Sequence, residues 1–576
     1  MNLHSMTTRR TSFLAVATLL ALTVRAGAES ARDELLRLVP DDVGFCLVLE
    51  DLRGHVAQLT ESPFLQQFQK SPMGALLDAD RDMRKFIEGR QQLETLFGVD
   101  WPKLRDEILG DAVVFAFRPA PPDKSGQDQA LILLRARDPQ ALANLVERIN
   151  AFQKTIGEVK AVEPRTHKGQ KYFERVEAKA LPFYALAGPV LALSSHDAML
   201  RQALDRRGPD ATAEPLLAGR LRQLLGPERR LASLWLNPRA FDAAISAKAK
   251  EGSDEKKAVL KNFSTYWRAL DGVAGGIGVN EDVTCTLAIG ARVEQLSPAA
   301  RRFLAEAAKP SELWQHFPDD ALLAFAGRFD PAAFEQVLGE FLTPQARQVL
   351  HDSLDRFVGA ALDKDVVKDV LPFLGPDIGL CVMAPEEKAK SWVPQAFAAL
   401  RVRPGDKPPF VDQTAFAAVK MLAQAAVIDH NSKHVDRLRL KTEMQDKVEV
   451  SYLDGAAKLP PGVRPAFALK DGYLVLATSP NVLRRFGTTV DRPPAADVPL
   501  LRVSLAQWRA YVQVHRQALA AALAEQNKAK PEEVAHQVDA LLEGLRLFDR
   551  LEISQRSGDG RTALTLRVRM ALPLRK

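Results

Sequence analysis

The sequence predicts an α+β protein made of two similar domains in tandem, each a mostly antiparallel curved sheet with helices packed on it. Three observations predict it. Apolar runs of strand length are joined repeatedly by short polar turns, which only antiparallel neighbours allow. Segments with helical spacing alternate with these runs, so helices cover the sheet. A phrase from the first half also returns in the second. The hairpin Pro182 to Ser195, with its Gly188-Pro189 turn and a helix beyond His196, is echoed by Pro465 to Ser479, with Asp471-Gly472 and a helix from Pro480.

Taken in order, Val43 to Leu49 is the first strand, after the turn Pro40-Asp41-Asp42. From His55 to about Leu109 the apolar residues follow helical spacing, with Phe64, Leu65 and Phe68, then Leu76 and Leu77, then Leu93, Leu96 and Phe97. Gly98-Val99-Asp100 breaks one helix and opens another, and Leu109-Gly110-Asp111 ends the helical region. Ala112 to Phe117 and Leu131 to Ala136 form a hairpin around a Pro/Asp/Gly turn. Asp138-Pro139 caps and starts a helix with Leu142, Leu145, Val146 and Ile149 on one face. Lys171 to Val176 is a strand leading into the repeated hairpin. Leu231 to Leu236 is another, followed by a helix from Asn237-Pro238, a charged loop Lys248 to Lys257, and a helix. The hairpin Val273 to Ile289 turns at Asn280-Glu281-Asp282, and a helix from about Pro298 closes the half.

The landmarks then recur in the same order. Pro318-Asp319-Asp320 answers Pro40-Asp41-Asp42, Leu374-Gly375 answers Leu109-Gly110, and Leu400-Arg401-Val402-Arg403 answers Leu134-Arg135-Ala136-Arg137. The last block, with Leu500 to Leu505, Trp508 and the hairpin Leu551 to Leu566, matches more loosely. Offsets of roughly 265–285 residues are far beyond a solenoid period, so each unit is a whole domain. The expected boundaries are a leader at 1–28, a first domain at 29–312 and a second at 313–576.

The leader is read from Arg9-Arg10, the apolar run Phe13 to Val24 and the small residues Ala26-Gly27-Ala28, the pattern of a secretory signal. Export to the periplasm or beyond is therefore expected, by the general or the twin-arginine route, with no transmembrane segment in the mature chain. The formal charge of +6 includes three leader arginines and no leader acid, so the mature chain keeps half of it, too little to point to nucleic acid. With 46% apolar and 26% charged residues, the chain has the composition of a globular protein. Cys46, Cys285 and Cys381 all lie in apolar strand-like runs and read as buried free thiols, although one internal pair is open.

Four clusters invite a chemical reading, and each has a structural one beside it. Ser194-Ser195-His196-Asp197 holds the residue types of a hydrolytic triad, but sequence neighbours cannot line up as nucleophile, base and orienter. Matching Ser195 to Ser479 and His196 to Pro480 reads the cluster as a helix cap. Gly272-Val273-Ala274-Gly275-Gly276-Ile277-Gly278 precedes no helix and so reads as close backbone approach in a sheet. Asp429-His430 and His434-Asp436 have the spacing of a zinc helix without its glutamate, and read as a solvated segment. The Pro-Asp-Asp pairs lack EF-hand spacing, and read as turns whose carboxylates bond nearby backbone N–H groups. No catalytic, cofactor-binding or metal-ligating residue is assigned.

The phrases Val39-Pro40-Asp41-Asp42, Gly98-Val99-Asp100 to Leu109-Gly110-Asp111, and Leu191 to Ser195 resemble the DUF3352 family of uncharacterised exported bacterial proteins, found in planctomycete-like genomes. The resemblance implies location and architecture, and no activity. The functional expectation is an exported, non-enzymatic envelope protein with a binding or structural role and an unknown envelope partner. The alternatives are a carrier of an apolar ligand such as lipid, and a hydrolase whose site is assembled from distant residues.

Overall fold

A computed structural model describes residues 30–571, except 125, 208–214, 249–253, 357–364, 387–390, 405–410, 456–458 and 488–496. The leader read at 1–28 lies outside the described residues.

The apolar runs become strands because tight turns return each one on its neighbour. Those of the first half are β1 (Phe45–Glu50), β2 (Ala112–Arg118), β3 (Gln129–Arg135), β4 (Ala161–His167), β5 (Gln170–Val176), β6 (Phe183–Ala187), β7 (Val190–Ser194), β8 (Ala232–Leu236), β9 (Leu270–Val279) and β10 (Asp282–Ala291). Those of the second are β11 (Leu323–Arg328), β12 (Leu374–Met383), β13 (Gln395–Val402), β14 (Leu438–Gln445), β15 (Val448–Gly455), β16 (Ala466–Lys470), β17 (Tyr473–Ala477), β18 (Val498–Ser504), β19 (Phe548–Gly558) and β20 (Arg561–Met570).

All these strands join one sheet, and every pairing is antiparallel. Hydrogen-bonded neighbours run β4-β5-β6-β7-β3-β2-β1-β8-β9-β10 through the first half. They continue β20-β19-β18-β11-β12-β13-β17-β16-β15-β14 through the second. The expectation of one sheet per domain therefore gives way to a single sheet. Its physical cause is the β10–β20 ladder, where Asp282 to Gly290 pair with Arg569 to Arg561 and close the inner edge of both halves. The outer edges, β4 and β14, carry Glu163, Arg165, Arg439, Lys441 and Glu443, charges that discourage further pairing. β4 had no sequence counterpart among the expected strands. Its residues are polar and include Pro164, which an edge strand tolerates.

One face of the sheet carries two separate cores. In the first half Cys46, Val48, Val114, Leu131, Leu133 and Trp235 meet Leu35 and Leu36 from helix Ala31–Leu38, Met199 and Leu200 from helix Asp197–Asp205, and Leu221 from helix Leu216–Leu225. In the second half Cys381, Phe397, Tyr473 and Val475 meet Leu313 and Phe317, with Leu483 from helix Pro480–Arg485. At the seam this face is lined by Ala288 and Ala563, which carry the first core onto β20, and by Thr286 and Thr565, whose hydroxyls are 3.3 Å apart. Cys46 and Cys381 are buried as expected, and burial pushes the Cys46 thiol pKa up. Cys285 departs from the expectation. It is free and exposed, because its strand turns Thr286 and Ala288 inward and Cys285, Leu287 and Ile289 outward.

Candidate functional site

An antiparallel sheet with one core face ordinarily shows polar side chains on the other. Here the second face is apolar as well. From β6 to β10, cross-strand partners on it are Leu186, Leu191, Leu134, Val113, Leu49, Ala232, Ile277 and Cys285. The same row crosses the seam through Leu566, Ile553, Leu501, Phe325, Leu380, Ala398, Leu476 and Phe467, reaching β16 without one polar residue. The first helix-packed core reaches the seam through Ala288 and Ala563 and the second stops short of it, whereas this row runs from one half to the other.

Helices cover its flanks, and the helices of 505–545 pack with Val382 at one end of β12. Helix Pro139–Thr155 lays Leu142, Leu145, Val146 and Ile149 over Leu134, Leu191 and Leu193 at one end. Helix Val411–Lys433 brings Phe416 to 5.7 Å from Phe467 at the other. The centre is open: Leu287 is 51% exposed, Ile277 43%, Phe325 41%, Leu564 39% and Leu476 47%. A contiguous patch of half-exposed leucine, isoleucine and phenylalanine on central strands is far from the scattered apolar exposure of ordinary surfaces.

The open centre has a brace at one end of the strands. The helices of 52–97 meet those of 505–545 there, with Phe64 5.5 Å from Phe548 and helix Pro72–Ala79 against helix Pro531–Leu545. His55 Nδ1 lies 3.1 Å from the Val279 carbonyl at the tip of β9. A mostly apolar cleft of about 400 Å3 opens beneath the brace, lined by Pro63, Phe64, Asn280, Met570 and Ala571. This arrangement has the chemistry of an apolar binding surface with a partial cover.

Of the four sequence clusters only the glycine run touches this face, through Ile277, and the four are not brought together. Ser195 is not the helix cap expected of it. Cross-strand pairing places Ser194 opposite Leu131 and Ala477 opposite Phe397, so Ser195 corresponds to Thr478, and His196 to Ser479. Both hydroxyls extend the sheet: Ser195 Oγ accepts from Ala130 N at 2.8 Å, and Thr478 Oγ1 from Ala396 N at 3.0 Å. The N-cap residues are His196 and Ser479, and neither makes a side-chain capping bond. His196 Nδ1 is 2.9 Å from Ser195 Oγ, but the Asp197 carboxylate is held by Arg201 at 2.6 Å, so no carboxylate of this cluster orients the imidazole.

The glycine run lies in β9 and makes the close approaches expected of it. A Cβ on Gly272 would fall inside the Trp235 indole, and one on Gly276 would meet the Arg230 side chain at 2.5 Å. His430 is near the end of helix Val411–Lys433, its ring stacked on His434 at 4.5 Å and its Nε2 3.1 Å from the Asp436 carbonyl, while Asp429 pairs with Lys433. The Pro-Asp-Asp turns close as expected, through Val43 N to Pro40 O and Ala321 N to Pro318 O. Their carboxylates, however, bind distant arginines in place of nearby backbone. Asp41 takes a two-pronged bond from Arg206 at 2.7 and 3.0 Å, Asp42 pairs with Arg118, and Asp320 lies 3.5 Å from Arg485. The Arg206 guanidinium holds the Asp41 carboxyl below the usual carboxylate range.

Fold and site together define an α+β protein built on one large antiparallel sheet that is apolar on both faces. Residues 84–329 match the model of a family described as a protein of unknown function (DUF3352), and over that stretch the chain is DUF3352-like. The match takes in β2 to β11 and so crosses from the first half into the second. No curated protein matches the chain. Among the described residues no helix is long and apolar enough to cross a membrane.

Proposed function

We propose that this is an exported, non-enzymatic binding protein of the cell envelope whose open sheet face takes up an apolar, lipid-like ligand. The observation that carries the reading is the apolar row that continues across the seam, half exposed at its centre, where folding alone requires no continuity. Export is supported by the basic, apolar and small-residue pattern of 1–28. An origin by internal duplication is supported by the shared strand order of the halves and by matched bonds such as those of Ser195 and Thr478.

The test is mass spectrometry of lipids extracted from the protein purified from its native envelope. Lipid recovered in defined proportion to the chain supports the proposal. Recovery no greater than from a control envelope protein refutes it.

A further inference from the structure

One guanidinium stands on the apolar face. Cross-strand pairing puts Phe173, Tyr184 and Leu193 in one row of that face, and Arg175, two residues beyond Phe173, on the same side of β5. Arg175 is only 7% exposed. Its Nη1 donates to Gln153 Oε1 at 3.1 Å and its Nη2 to the Leu181 carbonyl at 2.9 Å, and its plane lies 5.4 Å from the centre of the Tyr184 ring. Its Nε–H has no acceptor, and among the described residues no carboxylate pairs with it. Burial draws its pKa down, the expected response of a cation without a counter-charge.

The fold does not require this charge. In the second half the equivalent residue is Leu453, since Arg175 N donates to Pro182 O and Leu453 N to Pro465 O ahead of the matched hairpins. A buried cation without an anion is costly, and the same strand position is filled at less cost by leucine. Beside Arg175 is a mostly apolar cleft of about 240 Å3, bounded by Val146, Ile149, Tyr184, Leu191 and Leu193. The two leucines stand in the rows of the apolar face, beneath helix Pro139–Thr155, so the cleft opens on the covered flank of that face. Tyr184 Oη accepts from Asn150 Nδ2 at 3.0 Å, which leaves its own proton to donate.

We infer that this cleft binds the carboxylate head of a single-chain amphipathic acid, a fatty acid, whose tail lies along the apolar face. The inference rests on the proposed apolar-ligand reading and names the ligand class for it. Two donors, Arg175 Nε–H and Tyr184 O–H, match the two oxygens of a carboxylate.

The experiment is calorimetric titration of the full chain with dodecanoate and with dodecanol, for the wild type, Arg175→Leu and Tyr184→Phe. Wild type is expected to bind dodecanoate at least about tenfold more tightly than dodecanol, the worth of a charge-assisted hydrogen bond. Arg175→Leu should bind both alike, with a melting temperature no lower than wild type. If Arg175→Leu fails to fold, Tyr184→Phe carries the test, with a several-fold smaller preference expected. A preference unchanged in the folded variants overturns the inference. Wild type binding the two ligands equally also overturns it, and leaves the apolar-face proposal standing. Binding of neither ligand overturns both.

Discussion

Replacing Leu287 and Leu564 together by glutamine separates a binding face from a folding core. The two are cross-strand partners on β10 and β20, at the seam and in the open centre of the apolar face. Full burial of a leucine side chain contributes about 1.5–3 kcal/mol. Leu287 is 51% exposed and Leu564 39%, so a ligand covering both removes close to one leucine's worth of apolar area from water. That corresponds to about 2 kcal/mol, or roughly thirtyfold in affinity. Stability should change little, because substitutions at exposed positions stay within about 0.5 kcal/mol each. Leu133→Ala, fully buried on the opposite face, should cost about 2–5 kcal/mol. Urea denaturation measures stability, and fluorescence of a naphthyl dye that brightens in apolar surroundings measures binding. If the double glutamine variant unfolds as readily as Leu133→Ala, the face is a core and the reasoning fails. It also fails if dye affinity is unchanged.

Three further predictions concern the frame. Gly272→Ala drives a methyl into the Trp235 ring and should destabilise by about 1–3 kcal/mol, read as a lowered melting temperature. Arg206→Ala removes the partner that depresses the Asp41 pKa. A depressed carboxylate stabilises the fold above its unfolded pKa and loses that contribution as pH falls through its folded value, so the variant's deficit should be under about 1 kcal/mol at pH 7. Parallel melts should begin to converge with wild type as pH falls below about 4 and meet it only below the depressed Asp41 value. Ser195→Ala should cost about 1 kcal/mol through the lost bond to Ala130 N, and a fluorophosphonate probe should leave Ser195 of the wild type unlabelled; labelling there would revive a hydrolase.

Much of the fold was legible because strand and turn signals are local. Val273 to Ile289 and Leu551 to Leu566 read as hairpins from their turns alone, and β9–β10 and β19–β20 are those hairpins. The apolar face was legible too, in a signal that went unused: Phe45-Cys46-Leu47-Val48-Leu49 and Ala112 to Phe117 do not alternate with polar residues, and such runs have two apolar sides. What stayed hidden depends on distant partners. The Arg206–Asp41 pair spans 165 positions, and no local pattern announces it. The Ser195 assignment erred by one residue because two adjacent small polar residues, Ser194 and Ser195, can be matched to Thr478 and Ser479 in more than one way, and only cross-strand register decides.

The β10–β20 ladder also bears on how the chain can be divided. Severed between its halves, each fragment would present a long strand whose amide and carbonyl groups had lost their partners. Such fragments would recruit one another or a stray copy of themselves. Within the single chain each half of the sheet covers the vulnerable margin of the other.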